Sequence, residues 1–455
     1  MPVAHVGQDE HAGQKTNGGR QAADLAAGLA QRKCPRGQQD AGRGDGKHGL
    51  RPAPGPQDGA HERPGEEHHR ERLSNGARHG GRDRTSARGL VLLAPKLPGV
   101  SLAPTSARDR AVLAAARERR PTILDVAHFV QAHPELAYEE YECANYILNS
   151  LSEMSEVERG LAGMPTGFRA TVRGAEPGPT VGLVAVYDAV GVVRDNGALD
   201  PVQSCGHGPV SGAVVGAALA LAAMREQLSG TVIVLGCPAD ELVSPKAISL
   251  GSGKSRAIEK GALAGVDFAL YPHPESHTGV WHASRWMQLF ELHVAGDYDV
   301  ARWSLPFDQY RLDSVSTAED GSTRLVVRVL GDDRRMIEEL AATARSALAP
   351  LSWAPLGLTE GLVSDPRVVE AVEDALGVLG LAFDAQTPVM PFSTDFGNVS
   401  RRVPSAMIGV SREGGWAVHT DQGAELFSST PGDEVAVTMS EILVLAADRL
   451  LRATR

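Results

Sequence analysis

The sequence predicts an α/β fold: a mixed, mostly parallel sheet flanked by helices, with a small inserted α+β lid domain. Two observations carry this. Residues 179–188 ("PTVGLVAVYD"), 212–228 ("GAVVGAALALAAMREQL") and 230–240 ("GTVIVLGCPAD") follow one another as strand, Ala-rich helix and strand, the βαβ order that makes parallel neighbours. Further on, "WMQLFELHVAG" (286–296) and "STRLVVRVLG" (322–331) read as strands and "DRRMIEELAATARSALAP" (333–350) as an amphipathic helix, after which the α/β alternation resumes.

Taken in order, residues 1–105 form an extension, and its first 88 positions are dense in Gly, Arg, His, Gln and Asp with almost no β-branched or aromatic residues. Such a segment buries too little apolar surface to offset its ordering entropy and is expected to be disordered. Its histidines follow no ligand spacing. Residues 106–285 form the first part of the main domain. Helical periodicity starts at Ser106, is interrupted by Pro121 and by the turn at His133 and Pro134, and gives way to strand runs from 167 onward. Residues 286–350 are the lid. Residues 351–455 complete the main domain with a helix (365–380), the segment "PVMPFSTDFGNVS", a strand ("SAMIGV"), the "VHT" turn and a last helix from Pro431.

Bulk composition narrows the function classes. The 455 residues carry a formal net charge of −11, which is unsuited to binding nucleic acid or an anionic membrane. Apolar residues make up 42%, enough for two or three packed domains. Four dispersed cysteines (Cys34, Cys143, Cys205, Cys237) make no disulfide framework and fit a reducing cytoplasm. The opening "MPVAHVGQDEHAGQ" has no charged segment followed by an apolar core, and no apolar run reaches membrane-spanning length.

In open α/β sheets ligands gather at the carboxyl ends of strands, and the chemistry-bearing side chains fall there. Asp188 follows the first run, then Cys205 and His207 in "SCGHG". Asp240 and Glu241 end "CPADE", His273 lies in "FALYPHPES" and His419 in "WAVHTDQG". Singly, each reads as a loop acid, a loop histidine or a small buried hydrophobe. Together, Cys, three His and Glu form a mixed S/N/O donor set suited to zinc or, with more carboxylate character, manganese. Two ions ~3.5–4 Å apart take about five or six protein ligands. Adjacent Asp240 and Glu241 allow a division of labour: one ligates while the other takes a proton from a water acidified by the cation and passes it to a leaving nitrogen. A nucleophilic Cys205 would need a base of its own, for which His207 in the same turn is poorly placed.

From about His133 to the C-terminus, with a gap in the middle, the chain resembles the aminoacylase and carboxypeptidase-G-like zinc metallopeptidases (peptidase family M twenty), in particular their amidohydrolase branch. "HPELAYEE", "GMPTGFRATVRG", "VAVYDAV", "SCGHGPVSGAVVGAALAL", "GTVIVLGCPADE", "GVDFALYPHP" and "STDFGNVSRRVP" carry the resemblance in order and spacing. It implies hydrolysis of the amide bond of an N-acyl amino acid or small dipeptide. Cys205, His207, Glu241, His273 and His419 then stand at the positions that hold two divalent ions, zinc or manganese. Asp240 stands at the general base and Asp188 orients a ligand from behind. The alternative is a non-catalytic relative that keeps the metal and binds a small carboxylate ligand.

Three departures qualify this. Asp240 replaces the usual Glu and is one methylene shorter. Gly208 replaces the polar residue of "CGHD" or "CGHN". The lid lacks the "GxxxHAxxP" helix; "HVAGDYDVARWSLPFDQYRL" stands there instead, and the role of that motif's His is not transferred to His293, which falls too early. The resemblance implies a homodimer through the lid, and the shortened lid puts that contact in question.

Overall fold

A computed structural model describes residues 105–194, 198–300, 303–318 and 320–453; the expected disordered extension, 1–105, lies outside them except for Thr105. Helix α1 (Ala107–Glu118) starts where the periodicity predicts, on Ser106. The Ser106 hydroxyl oxygen accepts from the Asp109 N–H while the Asp109 carboxylate accepts from the Ser106 N–H, so two first-turn donors are satisfied reciprocally. Pro121 does separate this helix from α2 (Arg120–Ala132), sitting in the first turn where its missing N–H removes no intrahelical bond. Helix α3 (Tyr141–Ser150) follows.

Strands β1 (Glu156–Arg159), β2 (Phe168–Arg173) and β3 (Glu176–Ala185) lead to a short hairpin of β4 (Val190–Val193) and β5 (Leu199–Val202) that the sequence pattern did not signal. Helix α4 (His207–Ala223) then precedes β6 (Ser229–Gly236). It begins five residues before the predicted helical run, so His207 is its first residue, not part of the loop. Gly206, in the left-handed conformation at φ 94°, turns the chain into it. Short helices α5 (Pro245–Leu250) and α6 (Gly253–Glu259) lead to β7 (Phe268–Pro274) and β8 (Gly279–Trp281).

The inserted unit comprises β9 (Trp286–Val294), β10 (Tyr310–Thr317), β11 (Thr323–Gly331), α7 (Arg334–Leu348) and β12 (Ser352–Thr359). The expected boundary at 350 falls short: β12 pairs antiparallel with β9 and closes the four-stranded sheet, in the order β10-β11-β9-β12. Its alternation is broken by Pro355 and a register shift, which hid it from pattern reading. Among the described residues between β9 and β10 there is no α-helix. The chain ends with α8 (Pro366–Leu379), α9 (Phe396–Ser400), β13 (Ser405–Val410), α10 (Asp421–Phe427) and α11 (Thr430–Leu451). No helix among the described residues is long and apolar enough to cross a membrane.

The large sheet has seven strands in the order β1-β2-β6-β3-β7-β13-β8. Its centre, β6-β3-β7-β13, is parallel, and β1, β2 and β8 are antiparallel at the flanks. One extended apolar cluster covers this sheet, while Trp286, Phe290, Leu292, Leu325, Val327, Val329 and Ile337 form a separate core beneath α7. On the other face of the small sheet, Ile248 of α5 packs with Leu289 and Val326.

Nearly all of α4 is buried. It lies close to α2 because Gly208, Gly212 and Gly216 recur every four residues. A Cβ at these positions would stand 2.7 Å from the Ala127 carbonyl oxygen, 2.3 Å from the Ile123 carbonyl oxygen and 2.2 Å from Ile123 Cγ1. The glycine that departs from "CGHD" is thus the first member of a packing ridge. Gly212→Ala, which meets backbone, is expected to destabilise the fold by ~1–3 kcal/mol. Gly377→Ala, with open space around its helical position, is expected to stabilise it by up to ~1 kcal/mol. Urea unfolding of the two variants beside the parent checks both signs.

Candidate metal centre

The carboxyl ends of β3, β6, β7 and β13 deliver the chemistry. Asp188 lies just past β3, Asp240 and Glu241 just past β6, and His273 is the penultimate residue of β7. Cys205 and His207 flank the turn into α4. His419 lies in the loop between β13 and α10, with its backbone at φ 62° and its N–H donating to the Ser204 carbonyl at 2.8 Å. That bond ties the last predicted ligand to the segment carrying the first.

All five predicted ligands converge. Cys205, His207 and His273 form one trio, Cys205, Glu241 and His419 a second, and His207, Asp240 and Glu241 a third; within each, one ligand atom per residue lies within 4.8 Å of the others. The first two share Cys205 Sγ, which is 3.5 Å from His273 Nε2 and 3.2 Å from His419 Nε2. His419 Nε2 is also 3.2 Å from Glu241 Oε1.

Partners behind the ligands fix their orientation. His207 Nδ1 donates to the Asp188 carbonyl at 2.7 Å and lies 3.2 Å from Asp188 Oδ1. Its Nε2 is buried without a hydrogen bond, 3.3 Å from Asp240 Oδ2. Asp188 Oδ2 accepts from the Glu241 N–H at 2.8 Å. His273 Nδ1 faces the Pro274 carbonyl at 2.9 Å and Glu275 Oε1 at 3.1 Å. In both of these imidazoles the Nδ1–H has an acceptor behind it and Nε2 faces the centre, the arrangement that metal-ligating histidines use.

Charge agrees with the donor set. Burial and the Glu241 charge disfavour the Cys205 thiolate, yet His207 and His273 outweigh them and bring its pKa down to about 7. Glu241, despite burial, is held down to about 2 by His419. Cys205 and Glu241 together raise His419 to about 11. Burial opposes charge on His207, but Cys205, Asp188 and Asp240 push it well above its ordinary range. The S/N/O donors and the orphaned His207 Nε2 fit a divalent metal ion.

Sequence reasoning missed a second layer. Lys254, 1% exposed, contacts Asp240 Oδ1 and donates to Asp395 Oδ1 at 2.7 Å; Tyr271 Oη donates to Asp240 Oδ2 at 3.1 Å. One lysine thus serves two carboxylates. Asp240 is held well below its usual range by Lys254 against the cost of burial, while burial pushes Asp395 up to about 7. Glu140 accepts from the Tyr138 and Ala239 N–H groups and from the Thr166 hydroxyl, fixing the strained Ala239 (φ 57°) next to Asp240. Asp395 and Glu140 lie within motifs quoted above ("STDFGNVS", "HPELAYEE"); Lys254 lies in "GSGKS", which carried no signal.

Residues 187–424 match peptidase family M20/M25/M40, slightly more than half of the chain. The chain belongs to this family. It is 30% identical over 175 residues to a subunit of the p-aminobenzoyl-glutamate hydrolase of Escherichia coli, covering 36% of this chain and 34% of that one. Over 157 residues it is 29% identical to the N-acetyl-L-cysteine deacetylase of Bacillus subtilis, covering 33% and 36%. The matches thus span about a third of these relatives' length. The fold is similar to a dinuclear metal binding peptidase of the M20 family from Bacillus subtilis, with a TM-score of 0.56 at 17% identity, covering 74% of this chain and 99% of that one.

Two outcomes are expected. Cys205→Ala, which removes the atom shared by the first two trios, lowers the metal retained after dialysis as measured by elemental analysis; full retention would exclude the thiolate as a ligand. Burial and the nearby Asp188 charge raise Glu140 to about 8. Folding therefore takes up a proton between the unfolded carboxyl's ordinary pKa and about 8, and stability falls as pH rises through that window. In metal-free protein, Glu140→Gln flattens this decline, read from urea unfolding at pH 5 and pH 8.

Proposed function

We propose that the protein is a metal-dependent amidohydrolase or peptidase of the cytoplasm that hydrolyses the amide bond of an N-acyl amino acid or small dipeptide. The observation that carries this is the pair of ligand trios sharing Cys205. Cys205, His207, Glu241, His273 and His419 would hold two divalent ions, zinc or manganese. When bound, such ions lower the pKa of a water towards ~7 and polarise a carbonyl. Asp188 keeps His207 in the tautomer whose Nε2 faces inward. Asp240 is the general base: its Oδ2, on the side of His207 Nε2, takes the proton of the attacking water and returns it to the leaving nitrogen. Water is thereby added across the C–N bond, giving a carboxylate and an amine. The substrate class agrees with the names of the relatives, a p-aminobenzoyl-glutamate hydrolase and an N-acetyl-L-cysteine deacetylase, each named for an acylated amino acid.

One observation favours a second reading, a non-catalytic relative that binds a small carboxylate ligand: both Asp240 oxygens are already engaged, by Lys254 and Tyr271. A panel of N-acyl amino acids and dipeptides incubated with manganese- or zinc-loaded protein separates the two. Cleavage of at least one class, abolished by chelator and restored by the ion, is expected. If nothing is cleaved and Asp240→Glu creates activity, the second reading holds.

A further inference from the structure

Asp240 belongs to a ligand trio of its own with His207 and Glu241. A carboxylate placed there is a ready metal ligand, and a ligand cannot at the same time serve as a free base. What keeps it apart is a buried ammonium group. Lys254 Nζ contacts Asp240 Oδ1, and the Tyr271 hydroxyl holds Oδ2.

The lysine is itself fixed from behind. Asp395, preceding α9, accepts from Lys254 Nζ at 2.7 Å and from the Lys254 N–H at 3.2 Å. Its neighbour Gly253 lies so near the strand end that a Cβ there would stand 1.8 Å from the Pro238 carbonyl oxygen, and the Gly253 N–H donates to the Ala239 carbonyl at 3.1 Å. The start of α6 is therefore pressed against the residues just before Asp240, with the ammonium group delivered to the carboxylate. A fully buried lysine carries a large desolvation cost, met here only because two carboxylates converge on it.

We infer that Lys254 is a positioning residue that holds the Asp240 carboxylate out of the metal-ligand set and so keeps it available as a base. The inference rests on the hydrolase reading above for the base, but the restraint itself is a property of the metal centre. Its first readout is therefore the centre loaded with cobalt(II), whose visible bands weaken as oxygen ligands are added.

In Lys254→Met the released carboxylate joins the ligands. The visible bands lose intensity, cobalt binds more tightly because a ligand has been added, and kcat falls with little change in KM. Lys254→Arg keeps the cation and restores part of kcat. Lys254→Met combined with Asp240→Asn removes the intruding ligand and returns the bands to those of the parent. Asp395→Asn, which loosens the lysine without deleting it, shifts the bands in the same direction by less. Parental bands and affinity in Lys254→Met, or a double variant whose bands do not revert, overturn the inference. If Lys254→Met does not fold, Asp395→Asn decides on the same readouts. If the parent cleaves no substrate, the hydrolase reading falls and the cobalt bands still decide the restraint.

Discussion

Buried negative charge at the carboxyl ends of four parallel strands is the constraint around which the rest is arranged. Asp188, Cys205, Glu241 and Asp395 are buried, and Asp240 is partly so. Carboxylates and a thiolate in such a place are tolerated only when cations or hydrogen-bond donors meet each of them. The chain supplies some of these: Lys254 between Asp240 and Asp395, the Glu241 N–H on Asp188, and the imidazoles around Cys205. A divalent ion held by these donors would supply the remainder.

The scaffold serves that arrangement through close backbone approach. The glycine ridge of α4 lets α2 pack within reach of its first turn, where Gln131 donates to the Gln203 carbonyl, two residues before Cys205. The Ser204–His419 backbone bond closes the circuit between segments more than two hundred residues apart. Backbone atoms, glycines and one glutamine side chain make these contacts, so the placing of the thiol depends in part on positions that carry no reactive group.

Much of this was legible before any coordinates. The parallel strands and the central helix follow from hydrophobic runs; the five donors stood out as a mixed S/N/O set near the ends of those runs, and their roles as ligands came from the family resemblance. The hairpin of β4 and β5 was not legible: its two four-residue strands are too short to show alternation. Strand β12 was missed because Pro355 and the register shift break its pattern. Lys254 was invisible for a different reason. A lysine after two small residues reads as solvated surface, and its burial depends on Asp240 and Asp395, which lie 14 and 141 positions away.

The seat of Ile248 has a mechanical consequence. Helix α5 starts four residues after Glu241, and Ile248 is lodged with Leu289 and Val326 of the small sheet, beside Leu242. Any pivot of that sheet away from the large one would lift the isoleucine into water at a cost of about 2 kcal/mol. The contact that would resist such a pivot is thus made by a helix that starts four residues after Glu241.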